Sequence, residues 1–207
     1  MMDRLLLIRN YVFNLFDRDV SGHDFFHMQR VAQMAQSIAV REQADLFITE
    51  TAAWLHDADD HKLFTDGEKQ QREITELLQS IACSSNEISQ IKEAIREVSF
   101  TRGAIPASLE GKIVQDADRL DAIGAIGIAR AFAYGATTGQ TFWDDQETLQ
   151  PYTTIQHFYD KLLKLTDMMN TDAGEAIAAQ RHQFMTQFLQ QFFAEWQTSN
   201  IRIGQLT

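Results

Sequence analysis

Trp54–Leu55–His56–Asp57–Ala58–Asp59–Asp60–His61–Lys62 is an apolar approach that ends in two histidines, three aspartates and a lysine. The apolar spacing before it predicts a helix from about Leu46 to His56, with Ala52 and Ala53 small enough to let a neighbouring helix come close. A helix that buries Trp54 and Leu55 and then presents His56 and Asp57 side by side holds two good metal ligands at the edge of a core. Two ligands do not make a site, so the remaining donors must come from other helices.

Upstream, residues 3–17 place Leu5, Ile8, Val12, Leu15 and Phe16 at helical spacing. A second helix is predicted over about 24–41, introduced by Ser21 and Asp24 as a capping pair. On it His27 and Arg30 lie close to one face with His23, because positions three and four apart are neighbours on a helix. Downstream, amphipathic spacing predicts helices over 68–82 and 87–98, the latter capped by Asn86. Arg102, Gly103 and Pro106 mark a loop. One helix is then predicted from about Glu110 to Tyr134, carrying Asp116, Asp118, Arg119 and Asp121 just after Ile113 and Val114. A polar connection over 135–151 leads to two last helices over about 153–170 and 173–198, where Phe158, Leu162, Leu165, Phe188 and Trp196 form packing stripes.

Two prolines and ten glycines among 207 residues, with abundant Leu, Ala, Gln and Glu, agree with an all-α chain. At 44% hydrophobic residues, that length fits one domain over 1–207 with a sizeable core. A net charge of -11 disfavours wrapping by nucleic acid, whose phosphates need clustered Lys and Arg. No apolar run reaches the roughly 18 residues of a membrane span. The lone Cys83 cannot form an internal disulfide, and no charged-then-apolar signal stands at the N-terminus, so a cytoplasmic protein is expected. Cys83, beside Ile81 and Ala82, is expected to be a structural thiol.

The second acidic cluster supplies what His56 and Asp57 lack. His27 lies one helix upstream and Asp118 lies downstream, and imidazole nitrogens with carboxylate oxygens suit divalent metals such as Mn, Mg, Co, Ni, Fe or Zn. Periodicity alone does not prove that the four converge.

The order His27, then His56–Asp57, then Asp118 within Asp116–Ala117–Asp118–Arg119–Leu120 resembles the HD-domain metal-dependent phosphohydrolases. His23–Asp24–x–x–His27–x–x–Arg30–Val31 and His157–Phe158–Tyr159–Asp160–Lys161–Leu162, with Arg181 and Phe184–Met185, look like a bacterial subgroup of roughly 200 residues. The resemblance extends over most of the chain. It implies a compact all-α HD-domain helical bundle with its metal site in the centre. The metal-site core would span about 20–135, followed by C-terminal helices over about 152–198. It also implies His27, His56, Asp57 and Asp118 as ligands of one divalent metal, because multi-metal relatives carry extra histidines between the His–Asp pair and the last aspartate. Here that interval holds only His61.

By the same resemblance, Asp60 is expected to orient or deprotonate the attacking water. Lys62 and Arg30 are the first choices for phosphate contacts, the arginine as a bidentate fork and the lysine as a compact charge, with Arg102 and Arg119 behind them. Asp121 is expected to orient a ligand or bind a sugar hydroxyl, and Asp116 is an alternative ligand. The expected activity is metal-dependent hydrolysis of phosphate esters or anhydrides, on a small phosphorylated substrate of the nucleotide class. The alternative is a metal-containing nucleotide sensor with little turnover.

Overall fold

Asp24 opens the helix on which much of the molecule turns, its side chain accepting the His27 backbone N–H at 2.7 Å. In the computed structural model, which describes residues 3–17, 24–58, 67–96, 98, 104–144 and 152–198, this helix is α2, Phe25–Glu42. It follows α1 (Arg4–Phe16) and ends where Gln43 adopts a left-handed conformation. Asp45 caps α3 (Leu46–Leu55) by accepting from the Ile48 N–H at 3.0 Å. The expected capping partner Ser21 and the neighbouring His23 lie outside the described residues.

Next come α4 (Gly67–Ser80) and α5 (Ser85–Arg96). The cap of α5 is Ser84 and not Asn86 as the sequence suggested: Ser84 Oγ accepts from the Glu87 N–H at 3.2 Å, and Glu87 returns the bond to the Ser84 N–H at 2.6 Å. This reciprocal pair satisfies two otherwise orphaned donors, while the Asn86 side chain turns to Gln90 at 3.1 Å.

The single helix expected over 110–134 is two, α6 (Leu109–Asp121) and α7 (Gly124–Thr137). Gly124 sits at φ +75°, a left-handed conformation that interrupts the helix, and an added Cβ would lie 3.0 Å from Arg181 Cγ. The expected helix over 153–170 also divides. It gives α8 (Thr154–Asp160) and a 3-10 segment, Leu162–Met168, after Lys161 leaves helical dihedrals at φ -134°. The reason lies in α6: Arg119 and Asp116 draw the backbone at Met168, Asn170 and Thr171 towards themselves. The last helix, α9, runs Asp172–Thr198.

Among the described residues there is no strand, so the fold is all-α. α2 packs against α3 and α6, and α3 against α5 and α6. The small residues Ala52 and Ala53 lie fully buried where α3 meets its neighbours. The core gathers Ile8, Met28, Ile38, Leu55, Ile113 and Leu120 from four helices, each side chain contributing roughly 1.5–3 kcal/mol by leaving water. Phe25 stacks on Trp54 with centroids 5.7 Å apart, fixing the start of α2 beside the end of α3. No helix among the described residues is long and apolar enough to cross a membrane. Cys83 is buried and accepts from Arg4 Nη2 at 2.8 Å.

Candidate metal centre

Of the expected ligands, His27, His56 and Asp118 come together where α2, α3 and α6 meet, and Asp57 places its Oδ2 beside both histidines without joining that group of three. His56 terminates α3, and its Nδ1 lies 2.8 Å from the Ala53 carbonyl oxygen. A carbonyl can only accept, so Nδ1 carries the proton and Nε2 keeps a lone pair. That Nε2 is buried and has no hydrogen-bond partner, an uncompensated polar atom that a metal ion would satisfy.

His27 is oriented in the same way by another acceptor, Asp121, whose Oδ2 lies 2.7 Å from its Nδ1. Its Nε2 thereby faces Asp118 Oδ1 at 3.5 Å and Asp57 Oδ2 at 3.8 Å. From His56 Nε2, Asp57 Oδ2 is 3.4 Å away and Asp118 Oδ1 3.8 Å. The ligand atoms of His27, His56 and Asp118 all lie within 4.8 Å of one another. Ligand bonds of about 2.1 Å separate neighbouring donor atoms by about 3.0 Å in octahedral and about 3.4 Å in tetrahedral geometry. The observed separations of 3.4–3.8 Å therefore exceed the octahedral spacing by about 0.4–0.8 Å and run from the tetrahedral spacing to about 0.4 Å beyond it. His27 and His56 are essentially buried, whereas the Asp118 side chain is 29% exposed, so the cluster opens to solvent on the Asp118 side.

The electrostatics fit a cation. Burial holds His27 below its ordinary pKa, against the opposing pull of its Asp121 hydrogen bond, and a neutral imidazole is the form that ligates. Burial works against ionisation of Asp121, but hydrogen bonds from His27 and Arg30 and the charge of Arg130 outweigh it and hold its carboxyl well below the usual carboxylate range. Arg30 donates Nε to Oδ1 at 2.7 Å and Nη2 to Oδ2 at 3.0 Å, and Arg130 donates to Oδ2 as well. Arg130 Nη1 also stands 2.7 Å from His27 Nδ1, but a nitrogen that donates to Asp121 has no lone pair there to accept.

The two faces of α6 separate the other candidates. Asp118 and Asp121 share the face towards α2, while Asp116 and Arg119 turn to the opposite side. Asp116 is fully buried and receives the Asn170 and Thr171 backbone N–H groups at 2.8 and 2.9 Å, together with both their side chains. It therefore anchors the start of α9 and does not join the cluster. Arg119, 5% exposed, donates to the Met168 carbonyl and is likewise not brought to the candidate ligands. Arg30 is brought to the cluster's edge through Asp121. Asp60, Lys62 and Arg102, with His61, lie outside the described residues.

Sequence reasoning missed Arg130. Its one signal is that it is the only charged residue in Gly124–Thr137, and a lone charge in an apolar helix generally has a partner.

Comparison with known proteins gives a consistent picture. The HD domain family matches residues 24–123, which include His27, His56, Asp57 and Asp118. The chain is 43% identical over 188 residues to the uncharacterized protein YpgQ of Bacillus subtilis (strain 168), covering 89% of each. The crystal structure of Bacillus subtilis YpgQ in complex with ADP superposes with a TM-score of 0.79 at 39% identity, covering 93% of this chain and 97% of that one. An HD-superfamily hydrolase from Bacillus thuringiensis gives a TM-score of 0.79 at 38% identity, over 94% of this chain and 99% of that one.

Proposed function

This chain belongs to the HD-domain family, and from that premise we propose that it is a metal-dependent phosphohydrolase acting on a nucleotide. The observation that carries the reading is the tautomer of two histidines: both Nδ1 hydrogens are committed, to Asp121 and to the Ala53 carbonyl, so both Nε2 lone pairs face Asp57 and Asp118. His27, His56, Asp57 and Asp118 would hold one divalent cation, of Mn, Mg, Co, Ni, Fe or Zn. Such an ion supplies Lewis acidity towards a phosphoryl oxygen and brings the pKa of a bound water from about 16 towards neutrality. The partial exposure of Asp118 leaves a side from which substrate can approach.

The remaining roles belong to the chain's own groups. Asp60, three residues past Asp57, is assigned to hold or accept the proton of the attacking water, and Lys62 to neutralise phosphate charge. Arg30 spends Nε and Nη2 on Asp121, so its Nη1 is the nitrogen we assign to a substrate phosphate. Arg102 is kept as a further phosphate contact. Asp121 is assigned to ligand orientation in preference to a sugar hydroxyl, since both its oxygens are occupied. The ADP bound by YpgQ, a chain 39% identical, supports the nucleotide class.

The test is a screen of nucleoside mono-, di- and triphosphates against each divalent metal, with products identified. Asp57→Ala is expected to lose both metal and turnover, and Asp60→Ala to keep the metal while turnover falls at least about tenfold. An unchanged rate in Asp60→Ala removes its role. Tight nucleotide binding by a metal-replete protein that releases no phosphate or pyrophosphate favours the sensor.

A further inference from the structure

Along α2, past the metal ligand His27, the residues Arg30, Gln33 and Ser37 recur at spacings of three and four and form one stripe. That stripe borders a half-open cavity of about 210 Å3, lined also by Asp121, Ile126 and Arg181 among others. The space is large beside the roughly 10–15 Å3 that admits one water. None of His27, His56, Asp57 and Asp118 lines it.

The polar groups around this cavity are donors in excess. Arg30 Nη1 has no partner among the described residues once Nε and Nη2 are given to Asp121. Arg181 donates Nη1 to the Leu120 carbonyl, and its Nε and Nη2 bond to nothing among the described residues. The Gln33 amide and the Ser37 hydroxyl are likewise unengaged within the described structure. The one acid among the described residues of the wall, Asp121, is already shared by His27, Arg30 and Arg130. In a chain of net charge -11, the cavity therefore concentrates positive charge with an unspent hydroxyl and amide. Two guanidinium groups with spare N–H donors match an oxyanion that offers several acceptors.

We propose that this cavity is a phosphate-binding pocket, separate from the metal cluster, that takes the phosphate group of a small molecule. The pocket shares Arg30 Nη1 with the substrate contact assigned above, but the donors of Gln33, Ser37 and Arg181 are its own, and it stands whether or not the metal cluster hydrolyses nucleotides.

Calorimetric titration with inorganic phosphate at constant ionic strength, on the protein as purified and after chelator treatment, tests it. The expected result is binding with a Kd below about 1 mM in both states. Ser37→Asp places a negative charge on an exposed helical position in the wall and should weaken phosphate at least about tenfold, and Gln33→Glu should act in the same direction. His56→Ala, which removes a candidate metal ligand that neither lines the cavity nor bonds to Asp121, should leave phosphate affinity within about twofold. Retention of full affinity in both Ser37→Asp and Gln33→Glu overturns the proposal. So does binding that vanishes with chelation or in His56→Ala, which would put the anion on the metal. Acetate binding as tightly as phosphate overturns the assigned class, and absence of binding at about 10 mM phosphate overturns the pocket itself.

Discussion

Asp121→Asn is the substitution that most directly tests how the metal centre is held. The carboxylate is 4% exposed and accepts from His27 at 2.7 Å, from Arg30 at 2.7 and 3.0 Å, and from Arg130. Asparagine preserves shape but removes the charge and turns an NH2 group against one set of donors. Each charge-assisted bond is worth about 1.5–3 kcal/mol, but the Arg30 and Arg130 side chains are 34% and 30% exposed and recover hydration when released. The net loss of folding stability is expected to be about 2–4 kcal/mol, well below the sum of the bonds. Loosening the His27 ring should also lower metal affinity about 10–100-fold. Urea denaturation of the metal-free protein reads the first quantity and metal titration of the folded protein the second. The native carboxyl has a depressed pKa, so its contribution is present above the unfolded value of about 3.9 and is lost as pH falls further. The stability gap between the native protein and Asp121→Asn should accordingly narrow below about pH 4. A variant as stable as the native protein, or one that binds metal within about threefold of it, refutes the orienting role of Asp121.

Other expectations follow from the same geometry. Chelation should lower the melting temperature by roughly 5–10 °C if free metal had stood near 100 times its Kd, a linkage of about 2.7 kcal/mol; an unchanged melting curve would count against a metal bound by the folded state. Asp24→Ala removes the acceptor of the His27 backbone N–H and should cost about 1 kcal/mol by urea denaturation, and no measurable loss would show the cap to be dispensable. Gly174→Ala places a Cβ 2.5 Å from Asp116 Oδ2 and 2.8 Å from Thr171 Oγ1, so about 1–3 kcal/mol should be lost despite alanine's better helix propensity; a stabilised variant would contradict the packing. Burial lowers the His27 pKa, which means the unfolded chain takes up its proton first. The metal-free protein should therefore lose stability as pH falls below the unfolded value of about 6.5, a trend that His27→Gln should flatten in denaturation series between about pH 7 and 5.

The legible part of this molecule was the part that obeys helical periodicity. Burial of Ile8, Val12 and Phe16 in α1, and of Val31, Ala35 and Ile38 in α2, follows the apolar spacing directly. The break after Asp121 was not legible, because it depends on a left-handed Gly124 packed against Arg181, a residue 57 positions away (181 − 124). The same holds for the divided segment after α8, where the chain follows the acceptors of Asp116 and the donor of Arg119 in place of its own helical pattern. Local propensity cannot anticipate partners that meet only in the folded chain.

The candidate centre shows the same division on a smaller scale. Residue types and their order pointed to His27, His56, Asp57 and Asp118, since an imidazole or carboxylate at the end of a buried stretch is costly unless something pairs with it. What the order could not supply is which nitrogen of each ring faces the acids. That depends on Ala53, whose carbonyl is three residues from His56, and on Asp121, which is 94 residues from His27. Asp121 in turn keeps its charge in a buried position because Arg30 and Arg130 offset the cost of burial. Arg130 is thus the far end of a chain of dependence that runs through Asp121 to the Nε2 lone pair of His27, and it stands on a helix that carries none of the candidate metal ligands.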